Sequence, residues 1–376
     1  MRDRSSDTEA GDPLSLQVRV GPFLVHVGTD DIRVVRAIRE LALDDSALGD
    51  RGGGGAVAGA CGGWGGNAAP EIRCTVTLTT GGCPPRGRLP GQLPGQLPGR
   101  LPGRLPGQLP GRLPPREEAV ATFEDVELHA SPAAYTLIVG RESVVVIDRQ
   151  RKRADGHIAP AHVLRPWIVA HRIFSLTIIE LLRCFDAYYL HAGCVSDGGK
   201  GILICGASGD GKSTLTYALA RAGFSFLSDD GVFLRRTPSG IEAFSWPEKI
   251  KLDRRSCSFF EELRPWAESR TKTEIPLKST RITSVSRRSR PAALIVPVRG
   301  AGPSSEIRPI PRHDALARFL GQTIPLLEPE GMDRQLDILA ELVMTCRCLE
   351  LEAGTDFDRI PSLVRDASYS SGGTFR

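Results

Sequence analysis

The clearest chemical pattern in this sequence is an eight-residue stretch at 206–213, which reads Gly-Ala-Ser-Gly-Asp-Gly-Lys-Ser. It fits the phosphate-binding loop pattern G-x-x-x-x-G-K-[ST]. Glycine permits backbone angles that turn successive N–H groups onto phosphate oxygens, and we expect Gly206 and Gly211 to use that freedom. The ammonium of Lys212 would reach the β- and γ-phosphates, and the hydroxyl of Ser213 would bind Mg²⁺. The stretch therefore predicts a site for a nucleoside triphosphate.

The residues on either side of this loop predict the elements that would hold it. Residues 201–205 form an apolar run typical of a buried strand. After the loop, Leu215, Leu219 and Ala222 follow the spacing of one helix face, and Gly223 is placed to end that helix. A chance match in a glycine-rich turn is the weaker interpretation, because strand, loop and helix all occur together. The residues expected to contact the nucleotide are Gly206, Ala207, Ser208, Gly209, Asp210, Gly211, Lys212, Ser213 and Thr214.

Two adjacent carboxylates, Asp229 and Asp230, follow a short apolar strand at 224–228. Ligand groups collect at the carboxyl ends of strands in an open α/β sheet, so we expect both carboxylates beside the loop. Neighbouring side chains on a strand point opposite ways. One carboxylate could thus face Mg²⁺ while the other accepts the proton of an attacking hydroxyl, which are two roles that phosphoryl transfer requires. The alternative is a polar turn at the strand end.

His191 lies in a predicted strand at 188–195, fifteen residues before the loop. A histidine in an apolar strand is most often a core residue, and a role at the site is the less frequent outcome. The sequence alone keeps both alternatives.

The run from His191 to Asp230 resembles the catalytic core of the HPr kinase/phosphorylase family and its HPr-kinase-like relatives. In that family a histidine strand, a G-x-S-G-x-G-K-S loop and a strand ending in Asp-Asp occur in this order, and the loop architecture is similar to that of phosphoenolpyruvate carboxykinase. The resemblance implies that Lys212 and Ser213 serve ATP and Mg²⁺, that Asp229 accepts the proton and that His191 assists. We assign Ser213 and Asp230 to the metal, and Glu248 is a weak counterpart of the family's metal-binding glutamate.

The resemblance favours an ATP- and Mg²⁺-dependent kinase that phosphorylates a serine hydroxyl. By analogy with related kinases of peptide-maturation or export clusters, the acceptor would be a protein or peptide. A small-molecule kinase and a nucleotide-binding scaffold without transfer are the alternatives.

A basic segment at 277–290 carries five cationic side chains and no acidic ones. We expect a mobile loop that closes on the phosphates and supplies charge to the transition state. A solvated basic loop is an equally weighted alternative. The five residues are Lys278, Arg281, Arg287, Arg288 and Arg290.

The predicted fold class is α/β: a P-loop nucleotide-binding sheet domain of HPr kinase type at 161–376, preceded by a small β-rich domain at 13–160. Residues 1–12 are expected to be a disordered tail, and flexible regions at about 49–70 and 85–116 would interrupt the small domain. Other expected elements are strands around Gly21-Pro22 and at 72–79, 119–128, 135–139 and 143–147, a helix from Asp30 or Asp31 to about 43, a helix at 165–186 that packs Trp167, a strand at 292–298 broken by Pro297, a helix at 331–345 and a strand at 348–351.

A four-residue unit, Leu-Pro-Gly-(Arg or Gln), repeats from 88 to 114. Proline at every fourth position excludes a helix or a central strand. We favour an expanded repeat in a surface loop, because longer loops cost little extra closure entropy. An arginine-bearing docking arm is the alternative.

Composition is that of an ordinary globular protein, with 41% hydrophobic and 24% charged residues. The net charge of +4 is local, since 85–116 holds six arginines and no acids, and this predicts no nucleic-acid partner. Nine cysteines without zinc spacing indicate reduced thiols and a cytoplasmic protein. The start shows no signal peptide, and charges within 163–190 argue against membrane insertion. A homo-oligomer is compatible with these features.

Overall fold

The computed structural model describes residues 14–41, 72–80, 113–245, 249–269, 272–300, 302–323 and 329–369. Contacts group them into two compact units. The first holds most described residues up to Phe185, and the second holds everything from Asp186 together with Arg19–Phe23, Leu41 and Ile72. We expected the boundary after residue 160. Segment 161–185 instead belongs to the first unit, because its helix packs on that unit's strands. The tail at 1–12, the region at 49–70 and most of 85–116 lie outside the described residues.

The first unit is built on an eight-stranded sheet. Its order is β1-β2-β3-β8-β7-β6-β5-β4; β3 and β8 are parallel, and each pair from β8 to β4 is antiparallel. Strand β8 was not predicted, because its sequence Arg-Ala-Asp-Gly-His has no apolar alternation. The strands are β1 (Leu14–Val20), β2 (Phe23–Thr29), β3 (Ile72–Thr79), β4 (Ala121–Phe123), β5 (Val126–Ala130), β6 (Ala134–Val139), β7 (Ser143–Asp148) and β8 (Arg153–His157).

Three helices complete the first unit: α1 (Ile32–Leu41), α2 (Pro160–Val163) and α3 (Ser175–Arg183). Asp31 caps α1, since its Oδ1 accepts the N–H of Arg33 at 2.8 Å. A π-helical stretch, Ile168–Phe174, leads into α3. Its wider turn shifts the phase of the apolar face, so Trp167, expected to pack, is 56% exposed.

The second unit is a mixed α/β unit around a nine-stranded sheet. Along the sheet the order is β12-β10-β11-β17-β14-β13-β9, with β19 beside β17 and β18 beside β19. The strands are β9 (Ala187–Leu190), β10 (Gly193–Asp197), β11 (Lys200–Ile204), β12 (Ser225–Ser228), β13 (Val232–Thr237), β14 (Gly240–Ser245), β17 (Arg288–Arg299), β18 (Glu306–Pro309) and β19 (Arg347–Ala353); a separate pair is formed by β15 (Ile250–Leu252) and β16 (Thr273–Ile275).

Both faces of this sheet are buried. Along β11, Ile202 and Ile204 belong to one core cluster, while Leu203 and the following Cys205 belong to another. This alternation follows from the two-residue period of a strand, and it explains the continuous apolar run at 201–205. The helices are α4 (Lys212–Arg221), α5 (Arg254–Ser258), α6 (Arg312–Leu320), α7 (Pro329–Thr345) and α8 (Ile360–Tyr369).

Two strand predictions need correction. The strand expected at 188–195 is two strands, because β9 pairs with β13 whereas β10 pairs with β11 and β12. The strand expected to break at Pro297 is the continuous β17. Its pairing with β11 ends at Ile295, so Pro297 lies beyond that ladder.

No helix within the described ranges is long and apolar enough to span a lipid bilayer. The seven cysteines that the structure describes are all free thiols.

Candidate active site

The glycine-rich loop joins the carboxyl end of β11 to the start of α4. Gly209 and Gly211 have φ angles of +94° and +95°, the left-handed region that glycine adopts without strain. We expected that freedom at Gly206 and Gly211. Gly206 is instead required for space, because a Cβ there would lie 2.9 Å from Oδ2 of Asp210. That oxygen accepts the N–H of Ala207 at 2.6 Å and so closes the loop on itself.

Lys212 is the first residue of α4 and is 7% exposed. Its ammonium donates to the carbonyl oxygens of Gly206 at 2.7 Å and Ala207 at 3.2 Å. The loop thus encloses the side chain. Burial lowers the pKa of Lys212, and the charge of Lys272 lowers it further. The ammonium is thus held by two backbone carbonyl oxygens of the loop, which suits a buried phosphate-binding charge.

The next residues of α4 point to different partners. Thr214 exchanges a hydrogen bond with the hydroxyl of Ser256 at 2.6 Å. Thr216 donates to the carbonyl of Lys212 at 2.9 Å. The Ser213 hydroxyl makes no hydrogen bond to another described residue, and Ser213 lines the cavity above the loop. It therefore keeps its lone pairs for a ligand.

Asp229 follows β12 and is 1% exposed. Its Oδ2 accepts the N–H of Lys251 at 2.8 Å, whereas its Oδ1 is buried and has no hydrogen-bond partner among the described residues. Burial raises the pKa of Asp229 to about 7, and the neighbouring charge of Asp230 acts in the same direction. A carboxyl group with this pKa can hold and release a proton near neutral pH.

Asp230 has different partners from Asp229, although both residues lie beyond the end of β12 at Ser228 and not on the strand itself. Its carboxylate lies 3.2 Å from Nδ1 of His191 and 3.8 Å from Nζ of Lys251. The two partners leave it partly exposed. Burial lowers the pKa of His191, and Asp230 opposes that shift. The pair thus couples the imidazole to a carboxylate.

His191 occupies the two-residue break between β9 and β10 rather than the middle of a strand. Its N–H donates to the carbonyl of Gln322 at 2.8 Å. The side chain is 39% exposed and lines the cavity, so it is not a core histidine. The break is what turns His191 towards the loop.

A cavity of about 150 Å³ lies over the loop. Residues 207–214 form its floor, and Phe259, Phe357 and Ile360 add an apolar wall. The Phe259 and Phe357 ring centroids are 4.9 Å apart. Neither Asp229 nor Asp230 lines this cavity, and Asp230 is connected to it through its contact with His191.

The basic side chains at the cavity are not those expected from the sequence. None of the five in segment 277–290 lines it. Arg281 instead lies 3.7 Å from Oε2 of Glu262, and Arg288 lies 3.6 Å from Oε1 of Glu242. The cavity cations besides Lys212 are Arg255, Lys272 and Arg299.

No group of three or more His, Cys, Asp or Glu side chains suited to a metal occurs in the part of the chain that the structure describes. Mg²⁺ commonly takes only one or two protein ligands and completes its shell with waters and substrate phosphates. Ser213 and Asp230 fit such a partial donor set by their oxygen chemistry. Glu248 lies outside the described residues.

Comparison with known proteins gave one kind of match. No protein-family model matches the chain, and no curated protein matches it in sequence. Among solved structures, it is similar to the HPr(Ser) kinase/phosphatase from Coxiella burnetii, with 14% identity and a TM-score of 0.26. The match covers 47% of this chain and 94% of that one. Because the TM-score is so low, this likeness establishes neither fold nor activity, and the family resemblance of the motifs stays a prediction.

Proposed function

We propose that this protein is an ATP- and Mg²⁺-dependent kinase that transfers the γ-phosphate to a serine hydroxyl of a protein or peptide. The observation that carries the proposal is the arrangement around Lys212. A strand–loop–helix unit with two left-handed glycines buries this lysine at the floor of a cavity, and His191, coupled to Asp230, forms part of its wall. This arrangement supports the proposal that phosphate binding and proton transfer occur at one site.

The cavity offers a nucleotide two kinds of surface. The loop N–H groups and the N-terminus of α4 suit the phosphates. The apolar wall at Phe259 and Phe357 suits a base, since aromatic rings stack on one another. Ser213 and Asp230 would hold Mg²⁺, which neutralises phosphate charge when bound.

The transfer step needs a proton acceptor, and we assign it to Asp229. In this step the serine oxygen bonds to the γ-phosphorus, the bond from that phosphorus to the β–γ bridging oxygen breaks, and ADP leaves with the bridging oxygen. The hydroxyl proton passes to Asp229, whose pKa of about 7 suits a general base at neutral pH. Because Asp229 is buried, access of a hydroxyl to its Oδ1 requires a local movement. His191, which is paired with Asp230, would orient the serine hydroxyl of the acceptor.

The assignment of the acceptor to a protein or peptide serine rests on the resemblance of the His191–Asp230 motifs to HPr-kinase-like proteins. The experiment is to incubate the purified protein with γ-labelled ATP and a cell lysate, and then to locate the label. We expect it on serine. Label on a small molecule alone would indicate a small-molecule kinase instead.

The nucleotide site is tested with Lys212→Met. This variant keeps the aliphatic stem and removes the charge, so it should fold but lose most of its ATP affinity, by about tenfold or more. Calorimetric titration with ATP measures the loss, and a thermal melt checks the fold. Wild-type affinity in a folded variant would contradict the phosphate-loop assignment.

A further inference from the structure

Lys272 differs from Arg255 and Arg299, the other cations that line the cavity besides Lys212. Arg299 donates from Nε to the carbonyl of Gly209 at 3.0 Å. The guanidinium of Arg255 lies over the ring of Phe259, 5.8 Å from its centroid. Lys272 makes no hydrogen bond or salt bridge to any other residue that the structure describes, and yet it lines the cavity. Its ammonium is therefore the cavity charge that has no protein partner within the described ranges.

The two-stranded ribbon of β15 and β16 fixes the backbone beside Lys272. Lys272 directly precedes β16, which pairs with β15 through Leu252 and Thr273. The side chains of Ile250, Leu252 and Ile275 are fully buried in the core cluster that also contains Leu215 of α4. Asp229 ties β15 to the end of β12 through the N–H of Lys251 at 2.8 Å. Lys272 is thus presented by elements packed on the phosphate-loop helix.

The charge of Lys272 acts on several ionisable groups at and beside the cavity. Burial is the main cause of the lowered pKa values of His191 and Lys212, and the ammonium of Lys272 lowers both further. It also opposes the burial-driven rise in the pKa of Asp229. The charge of Lys272 also acts on Asp253, which caps α5 and lines the cavity. Lys272 is therefore close both to the phosphate loop and to the start of α5.

We propose that Lys272 is a second phosphate-contacting lysine, which binds the terminal phosphate of the nucleotide. The proposal rests on the proposed function, since it takes the nucleotide to be ATP bound at the loop. A compact, exposed ammonium with no partner among the described residues suits this task, because it can follow the phosphoryl group as negative charge develops there. Lys212 would hold the same group from the loop side.

The test compares Lys272→Met with Lys249→Met. Lys249 lies near the same ribbon and pairs with Glu274 at 3.5 Å, but it does not line the cavity, so it is the matched control. Both variants are titrated with ATP and with ADP in the presence of Mg²⁺, by displacement of a fluorescent ADP analogue. For Lys272→Met we expect about a tenfold or larger loss of ATP affinity and a smaller loss of ADP affinity. Lys249→Met should bind both nucleotides like the wild type.

Two further variants separate the outcomes. Lys272→Arg keeps the charge and should recover most of the ATP affinity, which a loss through misfolding would not predict. If Lys212→Met loses ATP but Lys272→Met binds it like the wild type, the assignment of Lys272 is wrong and the proposed function stands. If the wild-type protein binds no ATP, the proposed function and the assignment of Lys272 both fail.

Discussion

Replacing Asp229 by Asn tests the buried carboxylate most directly. The substitution keeps the size of the side chain and an oxygen that can accept the N–H of Lys251. It removes the ionisable group, whose pKa burial raises from 3.8 to about 7. The Asn N–H₂ would occupy the place of Oδ1, which has no partner among the described residues. Any free-energy cost of burying that amide is independent of pH. The pH-dependent part of the stability difference between the two proteins therefore reports the ionisation of Asp229.

The sign and the size of the effect follow from linkage. The window lies between the pKa of Asp229 in the unfolded chain, 3.8, and its higher pKa in the folded protein, about 7. At pH values within this window the folded protein binds more protons than the unfolded chain. The wild type therefore becomes less stable as the pH rises through the window. Each pH unit inside the window is worth about 1.4 kcal/mol. From about pH 5 to about pH 7.5, the stability of Asp229→Asn relative to the wild type should therefore increase by about 2 to 3 kcal/mol.

The assay is urea unfolding of both proteins at these two pH values. Other titrating groups are shared by the two proteins and cancel in the difference. A difference in the free energy of unfolding that stays constant with pH would show that Asp229 does not titrate in this range, and the argument from its burial would be wrong.

The same variant tests the catalytic assignment. If Asp229 accepts the hydroxyl proton, phosphate transfer should fall by about two to four orders of magnitude. ATP affinity should be retained or rise slightly, because one negative charge near the phosphates is gone. Both quantities are measured on one preparation. Parallel loss of transfer and ATP binding would mean that Asp229 only holds β15 in place, and loss of neither would remove it from the reaction.

Two further predictions concern packing. Gly193→Ala should destabilise the protein by about 1 to 3 kcal/mol in urea unfolding, because the new Cβ would overlap Oγ1 of Thr216 on α4. Gly28→Ala is the control, since a Cβ at Gly28 meets nothing within 4 Å. Equal destabilisation by the two substitutions would contradict the clash. Deleting residues 85–112 should leave the melting temperature and ATP turnover almost unchanged, because proline at every fourth position keeps the repeat from forming a helix or a central strand; a drop of many degrees would show that the repeat docks. The deletion stops before Leu113, because Leu113 packs against Ile138, Val144 and Val146 and the carbonyl of Pro114 accepts a hydrogen bond from Arg141.

The local elements around the loop could be read from the sequence because each has a local cause. The apolar run before residue 206 corresponds to β11, and the helical spacing from Leu215 corresponds to α4. Gly223, with φ of +96°, follows that helix as predicted. These features depend on neighbours within a few residues, which is the range over which sequence patterns carry information.

The distant members of the site could not be found in this way. Lys272 and Arg299 reach the cavity only because β16 and β17 fold back beside the loop, far along the chain from Lys212. Segment 277–290 has the denser positive charge, and it misled the prediction for that reason. Its Arg281 is held by Glu262 and by the hydroxyl of Tyr217, both outside the cavity. Local charge density gives no information on which of two basic segments the sheet will place over a ligand.

The two adjacent carboxylates show how a tertiary environment divides one dipeptide into two functions. Strand geometry predicted only that Asp229 and Asp230 point apart. The structure adds the cause of a chemical difference: one side chain is enclosed and tied to a backbone N–H, while the other stays in contact with His191 and Lys251. Desolvation then raises the pKa of Asp229 to about 7, so that its carboxyl group can exchange a proton near neutral pH. Asp230 has Lys251 and His191 as partners and is partly exposed, which suits an oxygen ligand for a metal. If the protein is a kinase, this difference in burial, rather than the identity of either residue, assigns the base and the metal ligand.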